Sequence, residues 1–359
     1  MKVLLVTLEY PPTIGGISTY LKELYRNFPG TVRVVSPHTH RIYTRFFYPH
    51  WLLFYFDLKK IVALEQPDEL HISHVLPIGR MARWILRSQK IPYRVFVHGT
   101  DLQAAFAQPR KWRSVIRILK DAKTCFANSE ATKQLYIELC GNAAPEPVVL
   151  TPGVAMPHPN SEFAEELVRG HGLLGRRIIL FVGRLVPRKG LLVAVRAFSI
   201  VLKIPVAATL VVVGEGPERV KAEQLAKELG INEHVRFVGA VSDLEKSAWY
   251  KVATVFWFPA QIIAGEWEGY GITSLEAQAA GCPVVVSAVQ GLVETVQPGV
   301  TGFVVEPTAE AFAEQSLVLL QDATEWQNMR RAARVHAAEH GWEKQRLLFA
   351  QLLGLKKYE

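Results

Sequence analysis

Glu268-Gly269-Tyr270-Gly271-Ile272-Thr273-Ser274-Leu275-Glu276, continued by Ala277-Gln278-Ala279-Ala280-Gly281-Cys282-Pro283-Val284-Val285, is the stretch on which the reading of this chain turns. An apolar run, Val255 to Phe258, precedes it, and its end opens a second, Pro283 to Ser287. Apolar run, glycine-rich turn, amphipathic segment and apolar run is the pattern of a buried parallel strand that enters a helix and returns beside itself. A helix starting near Gly271 and ending near Gly281 aims its dipole and its free N–H groups at whatever the turn holds, which suits a phosphate. Glu268 and Glu276, one on each side of that place, can accept hydrogen bonds from hydroxyl groups.

The same alternation recurs in both directions. Lys2 to Thr7, Thr31 to Ser36, Glu69 to Ile72, Arg94 to His98, Thr124 to Asn128 and Val148 to Leu150 read as strands in the first half. Ile178 to Val182, Thr209 to Val213, Val235 to Val238, Val255 to Phe258 and Pro283 to Ser287 read as strands in the second. The expected class is α/β, with two Rossmann-like, doubly wound parallel sheets. A chain of 359 residues accommodates two domains at roughly 100–200 residues each. Three prolines between Pro152 and Pro159 resist helix and sheet, which puts the boundary there: residues 1–157, residues 158–341, and a closing helical segment 342–359.

Composition narrows the class further. With 49% hydrophobic and 21% charged residues, and glycine and proline dispersed, the chain is neither disordered nor collagen-like. Cys125, Cys140 and Cys282 stand too far apart for a disulfide framework or a CxxC metal site. No apolar run approaches the ~20 residues of a transmembrane helix. The opening Met1 to Glu9 reaches a carboxylate too soon for a signal peptide and reads as the first strand. These features predict a cytoplasmic protein, at most peripheral on the cytoplasmic face of a membrane.

A second motif sits upstream. Gly183-Arg184-Leu185-Val186-Pro187-Arg188-Lys189-Gly190 follows the strand Ile178 to Val182 directly, so Arg184 and Lys189 emerge at its carboxyl end. Two cations so placed suit a diphosphate leaving group. A basic loop alone is ordinary solvent surface; its pairing with Glu268 and Glu276 is what points to a ligand. In the first half, Pro11-Pro12-Thr13-Ile14-Gly15-Gly16 follows the opening strand, and paired glycines let backbone approach a phosphate or an acceptor closely. That stretch is not the dinucleotide fingerprint G-x-G-x-x-G, which counts against an oxidoreductase. His98-Gly99-Thr100-Asp101 sets a histidine at another strand end.

Together, G-R-L-x-P-R-K-G and E-G-Y-G-x-x-x-L-E-A-x-A-x-G-x-P-V-V resemble the retaining GT-B glycosyltransferases of family 4, which include bacterial phosphatidylinositol mannosyltransferases and many lipopolysaccharide and capsule enzymes. The resemblance implies two Rossmann-like domains facing across a cleft: an acceptor domain over 1–157, a nucleotide-sugar domain over 158–341, and a last helix packing back on the first. It implies that Arg184 and Lys189 bind the donor diphosphate, Glu276 the nucleotide ribose and Glu268 the donor sugar. Gly183 opens the basic loop, and Gly269, Tyr270, Gly271 and Ile272 give backbone N–H groups to sugar and phosphate. Gly15 and Gly16 lean over the diphosphate, and His98 is a ligand to sugar or acceptor. The implied reaction moves a hexosyl group from GDP-mannose or a UDP-hexose to a lipid-linked or glycan acceptor with retention. The leaving diphosphate takes the acceptor proton, and neither a cofactor besides the donor substrate nor an essential metal is expected.

The sequence departs from that pattern in three places. Ala260 to Trp267 lengthens the link to Glu268 and brings a further carboxylate, Glu266; Ala155 stands where an aspartate is common; and Gln290-Gly291-Leu292 replaces a Gly-Gly pair. Two other readings stay open on sequence alone. A GT-B nucleotide-sugar epimerase would share fold and donor, and a catalytically inactive nucleotide-sugar-binding subunit would share the fold, although Arg184, Lys189, Glu268 and Glu276 are all in place.

Charge divides unevenly. Residues 1–157 hold 20 Lys+Arg against 11 Asp+Glu, a net of +9, whereas the rest hold 21 against 22, a net of −1. An anionic membrane surface or lipid-linked acceptor is the expected partner of the basic half; with no recognition motif, nucleic acid is not. Arg80, Arg83, Arg87, Lys90, Arg110, Lys111, Arg113, Arg117, Lys120 and Lys123 recur at partly helical spacing. Eight aromatics between Tyr43 and Phe56, flanked by Arg41, Arg45, Lys59 and Lys60, suit an interfacial contact or a buried helix face.

Overall fold

A computed structural model of the protein describes residues 1–40, 42, 51–155 and 160–355. Lys2–Val6 (β1), Thr31–Val35 (β2), Glu69–Ser73 (β3), Tyr93–Val97 (β4), Thr124–Ala127 (β5) and Val148–Val149 (β6) form one parallel sheet in the order β2-β1-β3-β4-β5-β6. Arg177–Val182 (β7), Ala208–Val213 (β8), Val235–Gly239 (β9), Val255–Phe258 (β10), Val284–Ser287 (β11) and Gly302–Val305 (β12) form another, in the order β12-β11-β10-β7-β8-β9. The strand order reverses between β1 and β3 in one sheet and between β7 and β10 in the other. Beside such a reversal the loops at the carboxyl ends part, leaving the crevice in which open α/β sheets bind ligands.

Period-2 alternation explains why both sheets are apolar on both faces. In the first, Leu4, Val6, Leu70, Ile72, Val95 and Val97 enter a core with Met81, Ile85 and Ile118. On the opposite face, the Phe96 and Phe126 rings meet Phe349 at centroid distances of 6.0 and 5.7 Å. Phe349 belongs to the helix Trp342–Leu352, which covers that aromatic face. In the second sheet, Ile179, Phe181, Leu210, Val212 and Trp257 fill one core and Leu180, Val182, Val211, Phe256 and Phe258 the other. β12 is an edge strand that the sequence reading did not single out, being only four residues long and half-buried.

The chain divides into two compact units. One comprises residues 1–153, 265–269 and the segment from Trp342; the other comprises 154–264 and 270–341. The division falls ahead of the expected boundary at 157 because the Val154 N–H donates to the His340 carbonyl at 2.8 Å, binding it to the second unit. The short excursion 265–269 was not foreseen from the sequence, which assigned it to the second domain.

Of the aromatic run, Tyr43, Phe46, Phe47 and Tyr48 lie outside the described residues, with Arg41 and Arg45. Phe54 is buried on the helix Leu52–Glu65, Trp51 and Tyr55 pack on Trp84 at 5.5 and 5.0 Å, and Phe56 is exposed. Among the described residues no helix is long and apolar enough to cross a membrane.

Candidate functional site

In the second unit the two loops bordering the β7–β10 reversal carry the two motifs. The loop after β7 leaves Arg184 exposed and turns Lys189 inward, its ammonium 4.4 Å from the centre of the Phe258 ring at the end of β10. An aromatic face attracts the ammonium and keeps the long side chain from wandering over solvent. The two loops are tied together, since the Gln261 N–H donates to the Arg188 carbonyl at 2.8 Å.

The helix Ile272–Ala279 begins beside the same reversal. Its cap, Gly271, has φ 84°, and a Cβ there would stand 2.5 Å from Leu292 Cδ1. Only glycine meets both the left-handed backbone and the missing space. A buried network fixes the helix: Gln278 Nε2 donates to the Thr295 carbonyl at 2.6 Å, and the Thr295 hydroxyl donates to Ser274 Oγ at 2.9 Å. The N-terminal amides are thereby held in place, and amides so arranged can take an anion.

Glu276, on that helix, is 7% exposed. One carboxylate oxygen accepts from Lys246 Nζ at 3.1 Å and the other from the Tyr250 hydroxyl at 3.1 Å. A carboxylate has about four acceptor positions, so two remain for a ligand's hydroxyls. Burial works against the charge on Lys246, but the Glu276 and Asp243 carboxylates outweigh it and raise the lysine above its ordinary range. Burial, then the Glu276 charge, pushes the Tyr250 phenol well above its usual value. Neither partner was singled out in the sequence, although Lys246 and Tyr250 stand one helical turn apart on Asp243–Val252, just before β10.

The first unit gathers the other expected residues at its own carboxyl edge. Gly15 and Gly16 open the helix Gly16–Leu24 after β1. His98 follows β4, is 6% exposed, and shares a 2.9 Å hydrogen bond between its Nε2 and Ser73 Oγ. Its backbone N–H donates to Asp101 Oδ1 at 3.1 Å. Burial, reinforced by the neighbouring His74 and only partly opposed by Glu9, pulls the His98 pKa down to about 3. The ring is therefore neutral at physiological pH and can form hydrogen bonds without carrying a charge.

Residues 265–269 lie on this edge as well, moored by Trp267. Its indole N–H donates to Thr132 Oγ1 at 3.1 Å, and its carbonyl accepts from the Thr100 hydroxyl at 3.3 Å. Gly99, at φ 86°, leaves room for the ring: a Cβ there would be 2.0 Å from Trp267 Cδ1. Gly269 sits close against Asn128 and the His98 carbonyl, at 2.5 and 3.2 Å from its notional Cβ. The nine-residue motif read as one piece is thus divided. Glu268, 6% exposed, and Gly269 join His98 in the first unit; Tyr270, Gly271, Ile272 and Glu276 join Gly183, Arg184 and Lys189 in the second.

Two family models match the chain: Glycosyltransferase Family 4 over residues 2–156 and Glycosyl transferases group 1 over residues 164–336. A GDP-mannose-dependent alpha-(1-6)-phosphatidylinositol monomannoside mannosyltransferase of Mycobacterium tuberculosis is 28% identical over 338 residues, covering 85% of each chain. D-inositol 3-phosphate glycosyltransferase 1 of Catenulispora acidiphila is 31% identical over 300 residues, covering 77% of this chain and 69% of that one. Among solved structures, sucrose-phosphate synthase from Thermosynechococcus elongatus superposes with a TM-score of 0.82 at 22% identity over 98% of both chains. HepE of Anabaena in complex with UDP gives 0.82 at 17% identity, over 99% of this chain and all of that one. At these identities the superpositions establish the fold, that of the GT-B transferases.

Proposed function

The chain belongs to the glycosyltransferases of family 4, and from that premise we propose that it transfers a hexosyl group from a nucleoside diphosphate sugar to a lipid-linked acceptor, with retention of configuration. The observation that carries the reading is the β7–β10 reversal of the second unit. There an exposed guanidinium, an inward-turned ammonium, a rigid helix N-terminus and a half-used buried carboxylate converge on two tethered loops.

Each part answers to one part of such a donor. Arg184 offers a planar fork of donors and Lys189 a compact charge, which together neutralise the negative charge that grows on the diphosphate as the glycosidic bond breaks. The amides at the start of Ile272–Ala279 take phosphate oxygens without any change of charge in the protein. Glu276 has two acceptor positions left for the vicinal hydroxyls of a ribose. In the first unit, neutral His98 and the carboxylate of Glu268 are assigned to hydroxyls of sugar or acceptor; in the second, the Tyr270 to Ile272 backbone is assigned to sugar and phosphate. Gly15 and Gly16 offer close backbone approach at the carboxyl edge of the first unit.

Retention follows from a same-face displacement in which the departing diphosphate oxygen takes the proton of the incoming hydroxyl. This requires no protein base, which accords with a His98 that is hard to protonate. With two cations serving the diphosphate, the reading needs no metal, and turnover in excess EDTA tests that.

GDP-mannose is the donor we put first, because the mycobacterial relative named above, whose similarity spans 85% of this chain, is GDP-mannose-dependent; a UDP-hexose is the other arm. Proton NMR of a reaction with GDP-mannose and phosphatidylinositol monomannoside in detergent micelles decides donor and stereochemistry together. An α-mannoside as the first product supports the reading. A β-anomer, or free mannose with no acceptor product, refutes it.

The basic surface of the first unit is assigned to an anionic membrane on the cytoplasmic face. On the helix Pro109–Asp121, Val115, Ile118 and Leu119 are buried, while Arg110, Lys111, Arg113, Arg117 and Lys120 are exposed. Not every cation singled out in the sequence faces outward: Arg83 is largely covered and pairs with Asp121 at 2.6 Å, whereas Lys123 stays exposed while pairing with the buried Glu69. Equal sedimentation with neutral and anionic vesicles, indifferent to salt, would exclude this docking.

A further inference from the structure

At the β1–β3 reversal of the first unit stands a group of side chains that the roles assigned so far leave unused. Glu9 follows β1 and is fixed by its neighbour: its N–H donates to Thr7 Oγ1 at 3.1 Å, and the Thr7 hydroxyl donates to its carbonyl at 2.9 Å. Its carboxylate is folded beside the glycine turn, with Oε2 3.2 Å from the notional Cβ of Gly15. Oε1 lies 3.6 Å from His74 Nε2, in the loop after β3. His74 Nδ1 is 3.4 Å from Ser73 Oγ, and that oxygen is 2.9 Å from His98 Nε2. Four side chains therefore form a continuous polar row from Glu9 to the buried His98.

His74 adopts φ 80°, a left-handed backbone that a residue with a Cβ enters only at a cost in strain. In this conformation the imidazole stands beside Glu9. The ring is mostly covered, with 15% of its side chain exposed, while Glu9 keeps 32%. Burial disfavours protonation of His74, but the Glu9 hydrogen bond and the charges of Asp101 and Glu9 outweigh it. Two imidazoles with ring centres 5.6 Å apart thus hold opposite protonation preferences.

We propose that the Glu9 carboxylate is the hydrogen-bond acceptor that positions the attacking hydroxyl of the acceptor substrate, with His74 and Ser73 as positioning residues that hold it and join it to His98. The assignment rests on the transferase reading above. A carboxylate repels the donor diphosphate, so the group it takes from this crevice is a neutral hydroxyl. His74 supplies the counter-charge that keeps the carboxylate oriented, with 32% of the Glu9 side chain exposed. Ser73 Oγ, 2.9 Å from His98 Nε2, joins the row to that ring.

The test uses Glu9→Gln and His74→Gln, each close in size to the residue replaced, in the full chain. Acceptor kinetics are read with phosphatidylinositol monomannoside in detergent micelles, and donor affinity by calorimetry with GDP-mannose and UDP-glucose. Loss of one hydrogen bond to a charged group predicts an acceptor KM raised about tenfold in both variants, with donor affinity retained. An unchanged acceptor KM in both variants, while the donor still binds, overturns the proposal and leaves the transferase reading standing. Donor affinity falling in step with acceptor affinity also overturns it, because the row would then serve the fold. Failure of the unmodified protein to bind either nucleotide sugar overturns the donor reading and this one with it.

Discussion

Replacing Glu276 separates what this carboxylate does for the fold from what it does for a ligand. In the folded chain it satisfies two groups, Lys246 at 3.1 Å and the fully buried Tyr250 hydroxyl at 3.1 Å. Glu276→Ala leaves Lys246 its second partner, Asp243 at 3.2 Å, but strands the phenol. An unsatisfied buried hydroxyl costs about 1–3 kcal/mol, and at about 2–4 °C per kcal/mol for a body of this size the second unit should melt several degrees earlier. Glu276→Gln keeps an acceptor for Tyr250, so its melting point should fall less.

Ligand affinity should rank differently. A carboxylate with two open acceptor positions gives two charge-assisted hydrogen bonds to a ribose, each worth about 1.5–3 kcal/mol; Gln offers one neutral acceptor in their place. Nucleotide dissociation constants should rise roughly 100-fold or more in both variants. Differential scanning fluorimetry and calorimetric titration of GDP and UDP read the two effects on the same samples. Near-unmodified nucleotide affinity in Glu276→Gln would refute the ribose assignment, and an unchanged melting point in Glu276→Ala would refute the account of Tyr250.

Two further expectations concern the first unit. Gly99→Ala drives a methyl group into the Trp267 ring against a left-handed backbone; by displacing the neighbouring Glu268 it should lower transfer about 100-fold, as a 1 Å misplacement can, and activity within about twofold of the unmodified enzyme would contradict the mooring role. For His98 the folded pKa of about 3 lies below the ordinary 6.5, so the unfolded chain binds a proton that the folded chain refuses, and the stability contributed by neutral His98 is lost as pH falls from 6.5 toward 3. Urea unfolding at pH 7 and pH 5.5 should show a total loss of about 1.3 kcal/mol from this group, removed in His98→Gln; the depressed His71 adds in the same sense, the raised His74 opposes, and equal pH dependence in the two proteins would refute the assignment.

Much of this architecture could be read from the amino acids, because buried parallel strands leave little room for anything but Val, Ile, Leu and Phe. Val255 to Phe258 is the same strand in sequence and structure, and the others differ only at their ends. Gly271 marked the start of the helix Ile272–Ala279 correctly, since a left-handed cap leaves a glycine in the sequence. Local pattern fails where long-range packing decides. Nothing around Glu268 announces that Trp267 docks on the ends of β4 and the following helix and draws residues 265–269 into the first unit. The strain at His74 is equally silent, since a histidine at φ 80° is spelled like any other. Lys246 and Tyr250 had a faint signal, their one-turn spacing, but only the fold turns that face toward Glu276. Gly302–Val305 escaped because this short edge strand opens on a glycine and fully buries only that residue, so it lacks the continuous apolar run of a central strand.

The central claim, that the loops at the β7–β10 reversal bind a nucleoside diphosphate sugar, is tested most directly by calorimetry. The unmodified protein and an Arg184→Ala/Lys189→Ala variant are titrated with GDP-mannose, UDP-glucose, GDP and UDP. The account predicts selective binding of one nucleotide series by the unmodified protein and its loss in the double variant, with the folded structure retained. Binding that survives removal of both cations would place the diphosphate elsewhere and contradict the account.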